Sequence, residues 1–269
     1  MDISEISLLD KKPETVDFTS YDVVLHLAAI VHQSSSIGVD EYFLVNRDLC
    51  YEIARKAKNA GVSHFIFISS LKVYGNDNSK NNRLSENSHC SPDDPYGRSK
   101  YEAELLIQKL SDSDFVVSIV RPSMVYGEGV KANMLRLIKL VEKSCILPFG
   151  KIKNRRNYIY SENLIIMIDK IIEMKIPGIF IAVDPQAIST SELVRSLALA
   201  IGKRVYLFHI PGFLLYPIRL LFPEIISRLF DSSEYDNSQT LFRLDLNLPY
   251  STEEGLKRTI DAYKKQKNN

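Results

Sequence analysis

"HFIFISS", residues 64–70, is a short apolar run behind a histidine, closed by two serines. An uninterrupted run of this length reads as a strand covered on both faces, as in a parallel sheet. Two similar runs flank it: "YDVVLHLAAI" (21–30) before and "FVVSIVRPS" (115–123) after. Between the first two lies "VDEYFLVNRDLCYEIARKAKNAG" (39–61), which has helical spacing and stops at a glycine. Between the last two, Pro95 opens a second helix that should end near Leu110. Strand–helix–strand–helix–strand predicts an α/β fold with a doubly wound parallel sheet. Ligands of such sheets lie beyond the carboxyl ends of the strands. Ser69 and Ser70 therefore stand at the ligand end.

The rest of the chain has a different texture. Residues 75–94 are rich in Asn, Ser and Asp and read as a long loop. After residue 126 come helical patterns over 129–143, 161–174 and 189–202, and an apolar strand over 178–183. The expected organisation is one domain over 1–125 and a smaller lobe over 126–269, partly interleaved with the first. No internal repeat or low-complexity linker is present.

Composition narrows the function classes. The 269 residues are 45% hydrophobic and 25% charged, with 34 basic and 33 acidic side chains, a net charge of +1. That balance gives no electrostatic case for nucleic acid, or an anionic membrane, as the main partner. Cys50, Cys90 and Cys145 are few, scattered and odd in number, with neither a disulfide framework nor a zinc spacing, which suits a reducing cytoplasm. The histidines at 26, 32, 64, 89 and 209 form no metal-ligand pattern, so no metal is expected. The most apolar stretch, "IPGFLLYPIRLLFPEIISRLF" (210–230), is broken by Pro211, Pro217 and Pro223 and carries Arg219, Glu224 and Arg228. It falls short of an integral membrane segment. Its first reading is a pair of short buried helices; the other is a surface that rests on a membrane or a partner.

The chemistry concentrates in "DPYGRSKYEAE" (94–104). Tyr96 and Lys100 are one helical turn apart and share a face. A nearby ammonium favours the phenolate and lowers the tyrosine pKa. Such a tyrosine can take a proton from an alcohol or return one to a ketone. A hydride carrier must then meet the same carbon. Ser70, at the strand end, is placed to bond the same substrate oxygen.

Together these segments resemble an extended short-chain dehydrogenase/reductase of the NAD-dependent nucleotide-sugar epimerase/dehydratase type. "HLAA" (26–29) is similar to that family's cofactor-lining strand end, and Asn46 in "LVNRDL" to its helix asparagine. "SSLKVYG" (69–75) resembles the segment with the catalytic serine, at Ser70, and "YGRSK" (96–100) the one with the tyrosine and lysine, at Tyr96 and Lys100. "RPSMVYG" (121–127) is similar to the segment that approaches the nicotinamide, and "NRRNYIYSENL" (154–164) to the uridine-diphosphate segment. "LPYSTEEGLKRTIDAY" (248–263) is similar to the C-terminal signature.

The resemblance implies a Rossmann-like domain and a C-terminal substrate-binding lobe. It implies NAD or NADP as cofactor, with Asp2, Ile3, Ala28, Ala29, Asn46, Tyr96, Lys100, Pro122 and Ser123 in its site. It is nearest to the branch acting at C4 of UDP-linked N-acetylated hexosamines, 4-epimerases and 4-ketoreductases that supply surface-polysaccharide precursors. Asn133, Leu147, Phe149 and Arg156 would then hold the UDP-sugar, and the protein would be a cytoplasmic enzyme, expected as a homodimer. One departure is Met124, where many UDP-sugar epimerases carry asparagine.

A second departure concerns the cofactor. The family's G-x-x-G-x-x-G turn lets backbone N–H groups approach a pyrophosphate. None of the 11 glycines here makes that pattern, and "MDISEISLLD" resembles a later D-[IL] segment that would place Asp2 and Ile3 near the adenine. The expectation is a sheet missing its first strands and impaired dinucleotide binding. The alternative function is an inactive, truncated UDP-sugar-binding remnant.

Overall fold

The computed structural model describes residues 2–8, 13–31, 38–75, 83–221 and 223–268. His32 and residues 76–82 of the expected loop lie outside the described residues. In chain order the elements are β1 (Val23–His26), α1 (Val39–Phe43), a π-helical turn (Leu44–Leu49), α2 (Cys50–Asn59), β2 (His64–Ile68), a 3₁₀ turn (Leu71–Tyr74), α3 (Pro95–Gln108) and β3 (Val116–Pro122). There follow β4 (Met124–Tyr126), α4 (Ala132–Lys143), β5 (Ile146–Leu147), β6 (Tyr158–Tyr160), α5 (Ser161–Met174), β7 (Gly178–Ala182), α6 (Thr190–Ile201) and β8 (Tyr206–Leu207). The chain closes with α7 (Gly212–Leu221), α8 (Pro223–Phe230), α9 (Ser238–Arg243) and α10 (Thr252–Asn268).

Two compact units form. Residues 1–77, 86–122 and 168–181 make the first, and residues 78–85, 123–167 and 182–269 the second. The first holds the sheet, in the order β1-β2-β3-β7. β1, β2 and β3 are parallel, with Val23 opposite His64 and His64 opposite Val116. Phe65, Phe67, Val117 and Ile119 from the sheet pack with Ala54, Ala57, Ala103 and Ile107 from the helices. Each large side chain buried this way contributes about 1.5–3 kcal/mol. The second unit is built on Met134, Ile138 and Val141 of α4, Leu193 and Leu197 of α6, and Leu256 and Ile260 of α10.

Two expectations are corrected. The run over 21–30 is a strand only to His26. Beyond it, the Ile30 N–H and carbonyl bond to the Asn46 side-chain amide, at 2.8 and 3.0 Å, so the ladder gives way to a side-chain clamp. The stretch 210–230 does form two short helices, but they are not buried throughout: Phe213, Leu220 and Leu221 of α7 are 75%, 67% and 74% exposed.

His64 gives the first unit a pH dependence. The Ser118 hydroxyl donates to the Ile176 carbonyl at 2.7 Å, so its oxygen accepts from His64 Nε2–H, also at 2.7 Å. His64 Nδ1 is buried without a partner. Burial, then the charge of Lys175, pushes the imidazole pKa down to about 4. The unfolded chain therefore takes up this proton first. Stability from neutral His64 is complete above the ordinary histidine pKa, near 6.5, and is lost as pH falls toward 4. Between about pH 7.5 and about pH 5 this group should cost about 2 kcal/mol. His64→Gln keeps a donor and removes the titration. Denaturant unfolding at the two pH values should show a smaller acid loss in the variant; an equal loss would assign the acid sensitivity elsewhere.

Candidate active site

Ser70 follows β2 and caps the 3₁₀ turn. Its backbone is extended, and its Oγ accepts from Lys72 N–H at 3.2 Å. Helix α3 starts beside it for reasons visible in "DPYGRSK". The Asp94 carboxylate caps the helix by accepting from Gly97 N–H at 2.7 Å, and Pro95 fills the first turn, where a missing N–H costs nothing. Gly97 approaches the Lys72 carbonyl so closely that a Cβ would meet it at 2.6 Å. Any larger residue would push the helix from the turn that carries Ser70.

The helix thereby presents Tyr96 to Ser70, near enough for the serine hydroxyl to act on the tyrosine pKa. The tyrosine pKa is raised, not lowered as the one-turn spacing suggested. Burial is the main cause; the Ser70 hydrogen bond opposes it and the Asp94 charge adds to it. The resting phenol is thus protonated at neutral pH. Lys100 is buried and directs Nζ to the Ile68 carbonyl at 2.8 Å, with the ammonium 4.4 Å from the centre of the Phe67 ring. Burial lowers its pKa to about 8, against the pull of Cys50 and Glu104.

Asn46 lies in the π-helical turn and is fully buried. Besides clamping Ile30, its Nδ2 donates to Ser99 Oγ at 3.0 Å, and Ser99 stands between Tyr96 and Lys100 in α3. This one side chain fixes the segment after β1, with the half-buried Ala28 and Ala29, against the helix of the tyrosine and lysine. Asp2 and Ile3 are exposed and lie outside any helix or strand. Pro122 ends β3 and is buried.

Beneath Ser70 lies a network that local spacing did not reveal. Glu104, 1% exposed, and Arg121, 2% exposed, form a bidentate pair at 3.0 and 2.5 Å. Ser69 Oγ donates to the same carboxylate, and Arg121 Nη1 donates to Tyr74 Oη at 2.7 Å. Burial works against the arginine charge, but the Glu104 hydrogen bonds and charge outweigh it and hold the pKa above the ordinary arginine value. The pair grips Ser69 and Tyr74, the residues before and after the Ser70–Val73 stretch.

In the second unit, Asn133 and Phe149 line a cavity of about 230 Å³ together with Met124, Arg136, Tyr158 and Thr190, among others. Arg136 was missed in the sequence; its signal is the i, i+3 spacing from Asn133 on α4. Leu147 is buried in β5 but is not among the cavity's lining residues. Arg156 Nη1 donates to the carbonyls of Ser227 and Asp231, at 3.3 and 3.0 Å, at the end of α8. Ser123 N–H donates to the Ala182 carbonyl at 3.1 Å, while its Oγ is buried without a partner. Among the described residues no His/Cys/Asp/Glu group could hold a metal ion.

The donor set in the first unit suits the ribose and nicotinamide half of a dinucleotide. Tyr96 offers a hydroxyl, and Lys100 has three ammonium donors, of which the Ile68 carbonyl takes one.

Comparison with known proteins agrees with the fold. The model of the NAD dependent epimerase/dehydratase family matches residues 2–181. The chain is 35% identical over 255 residues to UDP-glucose 4-epimerase of Vibrio cholerae, covering 91% of this chain and 78% of that one. It is 25% identical over 206 residues to an N-acetyl-alpha-D-glucosaminyl-diphospho-ditrans,octacis-undecaprenol 4-epimerase of Escherichia coli, covering 75% and 60%. Among solved structures, UDP-glucuronic acid 4-epimerase of Bacillus cereus in complex with NAD has a TM-score of 0.75 at 22% identity, covering 95% of this chain and 80% of that one; this likeness shows the fold. With two thirds of its length matched by the family model, the chain belongs to the NAD dependent epimerase/dehydratase family of enzymes.

Proposed function

We propose that the chain acts at C4 of a UDP-N-acetylhexosamine or its 4-keto derivative, as a 4-epimerase or 4-ketoreductase in the supply of surface-polysaccharide precursors. The observation that carries the reading is the placing of Ser70 at the end of β2 close enough to Tyr96 to act on its pKa, with Lys100 one turn along the same helix. The 35% identical relative named for a UDP-glucose 4-epimerase supports C4 chemistry on a UDP-sugar. The relative named for an N-acetylglucosaminyl-diphosphate lipid supports the N-acetylated sugar.

NAD or NADP, when bound, accepts and returns hydride at C4. The chain's own residues handle the proton. Tyr96 rests as a neutral phenol and gives its proton to the C4 carbonyl oxygen, while Ser70 bonds the same oxygen and orients it. Lys100 places a positive charge one turn away, which favours the phenolate left behind. Ala28, Ala29, Pro122 and Ser123 would border the cofactor, and Asp2 and Ile3 its adenine side. Asn46 acts through Ile30 and Ser99.

Asn133, Leu147, Phe149 and Arg156 are proposed to hold the UDP portion, with Arg136 beside Asn133. An arginine fork suits a diphosphate. The phosphates do not react, so Arg156→Ala should raise KM by roughly tenfold or more with little change in kcat. Turnover of UDP-N-acetylhexosamines is followed by NMR of the sugar, and reduction of the 4-keto sugar by NAD(P)H absorbance. Saturating cofactor is used, because the 269 residues lack the glycine turn and weak dinucleotide affinity is proposed for them. If UDP-sugars are not turned over while other carbonyl substrates are, the substrate assignment fails and the proton chemistry stands. An unchanged KM in Arg156→Ala with an active wild type would leave Arg156 as a cap on α8 only.

A further inference from the structure

The α7 segment is used by neither the acid–base site nor the cavity of the second unit. Its exposed face is largely apolar. Phe213, Pro217, Leu220 and Leu221 are all exposed and lie at i, i+4, i+7 and i+8. At 100° per residue these positions fall within one 100° arc, so they form a single stripe. A helix that packs on its own core shows the opposite arrangement, with the stripe inward. Tyr206 and Phe208, shortly before α7, are also exposed.

The sequence leading into this stripe is locally basic. Residues 193–223 contain no aspartate or glutamate, the longest acid-free run in a chain that is otherwise balanced. The same run carries Arg195, Lys203, Arg204 and Arg219. Arg204 is exposed, and Arg219 keeps 60% of its side chain in solvent while pairing with Asp231 at 3.5 Å. The net charge of +1 for the whole chain hides this local excess.

We propose that this face docks on an anionic lipid surface, α7 lying in the interface plane with its stripe among the acyl chains. An apolar helical face, neighbouring tyrosine and phenylalanine, and a basic, acid-free sequence run together suit an interfacial helix. Anionic headgroups complement the arginines and lysine. A second copy of the chain fits less well. An isologous contact through this face would set the same cationic run against itself. The segment does not cross the bilayer: no helix among the described residues is long and apolar enough to do so. The inference is independent of the sugar chemistry proposed above.

The test is co-sedimentation of the full chain with vesicles of phosphatidylcholine containing one third phosphatidylglycerol, and with vesicles of phosphatidylcholine alone. The wild type should pellet with the anionic vesicles and be released by salt, since screening weakens the headgroup attraction. Phe213→Asp/Leu221→Asp should weaken partition by roughly tenfold or more, because two apolar side chains leave the acyl region. Arg204→Glu should weaken it without touching the stripe. All three positions are exposed, so melting temperature and any UDP-sugar turnover should stay at wild-type values. Should the aspartate pair unfold the protein, Arg204→Glu and the salt series still decide. Wild-type protein left in the supernatant with both vesicles would overturn the proposal, as would variants that pellet like wild type. If light scattering instead gave a wild-type dimer and a monomeric aspartate variant, without vesicle binding, the occupant would be a second copy and the lipid assignment would be wrong.

Discussion

Tyr96→Phe is expected to lower kcat by roughly a hundred- to ten-thousand-fold, the usual contribution of a positioned general acid or base. KM for the UDP-sugar should change little, because the phenol is proposed to act in the reaction, and Asn133, Leu147, Phe149 and Arg156 are proposed to hold the nucleotide. Three features of the first unit lead to this expectation. Tyr96 lies close enough to Ser70 for the hydroxyl to act on its pKa. Its raised pKa keeps it protonated, ready to give a proton to a carbonyl oxygen. Lys100 is fixed one turn away by the Ile68 carbonyl. Phenylalanine preserves the ring and its edge-on packing on Tyr42, so loss of fold is not expected. Steady-state kinetics with circular dichroism as a control checks this. A variant that kept wild-type kcat would remove Tyr96 from the chemistry and leave the buried phenol as a packing group.

Arg121→Ala should destabilise the protein by about 3–5 kcal/mol, the cost of stranding one partner of a buried ion pair. Glu104 would be left 1% exposed with Ser69 still donating to it. Tyr74 would lose the 2.7 Å bond from Arg121 and the guanidinium stacked at 4.8 Å on its ring. A change in the unfolding midpoint in urea measures the effect. The double replacement Glu104→Leu/Arg121→Met should cost less than the single one, since removing both charges leaves no unpaired ion. If the single and double variants were equally destabilised, the loss would come from packing and not from the stranded carboxylate. The same variants should lower kcat, because Ser69 adjoins Ser70 and Tyr74 closes the turn that Ser70 caps.

Much of the sheet, and the local placement of Ser70, Tyr96 and Lys100, was legible in residues 21–123. Continuous apolar runs mark strands buried on two faces, and β2 and β3 fall inside the runs read from the sequence. The start of α3 was equally plain, because Asp94, Pro95 and Gly97 act on neighbouring backbone. The one-turn spacing of Tyr96 and Lys100 follows from helix geometry alone. The electrostatics did not follow from that spacing. Lys100 lies one turn from Tyr96 but spends a donor on Ile68, and burial decides the tyrosine pKa.

Sequence by itself determined the alternation of strands and helices, the placement of Ser70 at a strand's carboxyl end, and the shared helix face of Tyr96 and Lys100. These depend on period, capping and chain direction, all set by residues within a few positions of one another. Tertiary structure alone decided where distant polar groups meet: Asn46 on Ile30 and Ser99, His64 on Ser118, and Arg121 on Glu104, Ser69's partner. It also decided that the apolar stripe of α7 faces outward. A period of 3.6 tells which side chains share a face; only sheet register and helix packing fix what that face meets, because they bring together residues 16 to 54 positions apart.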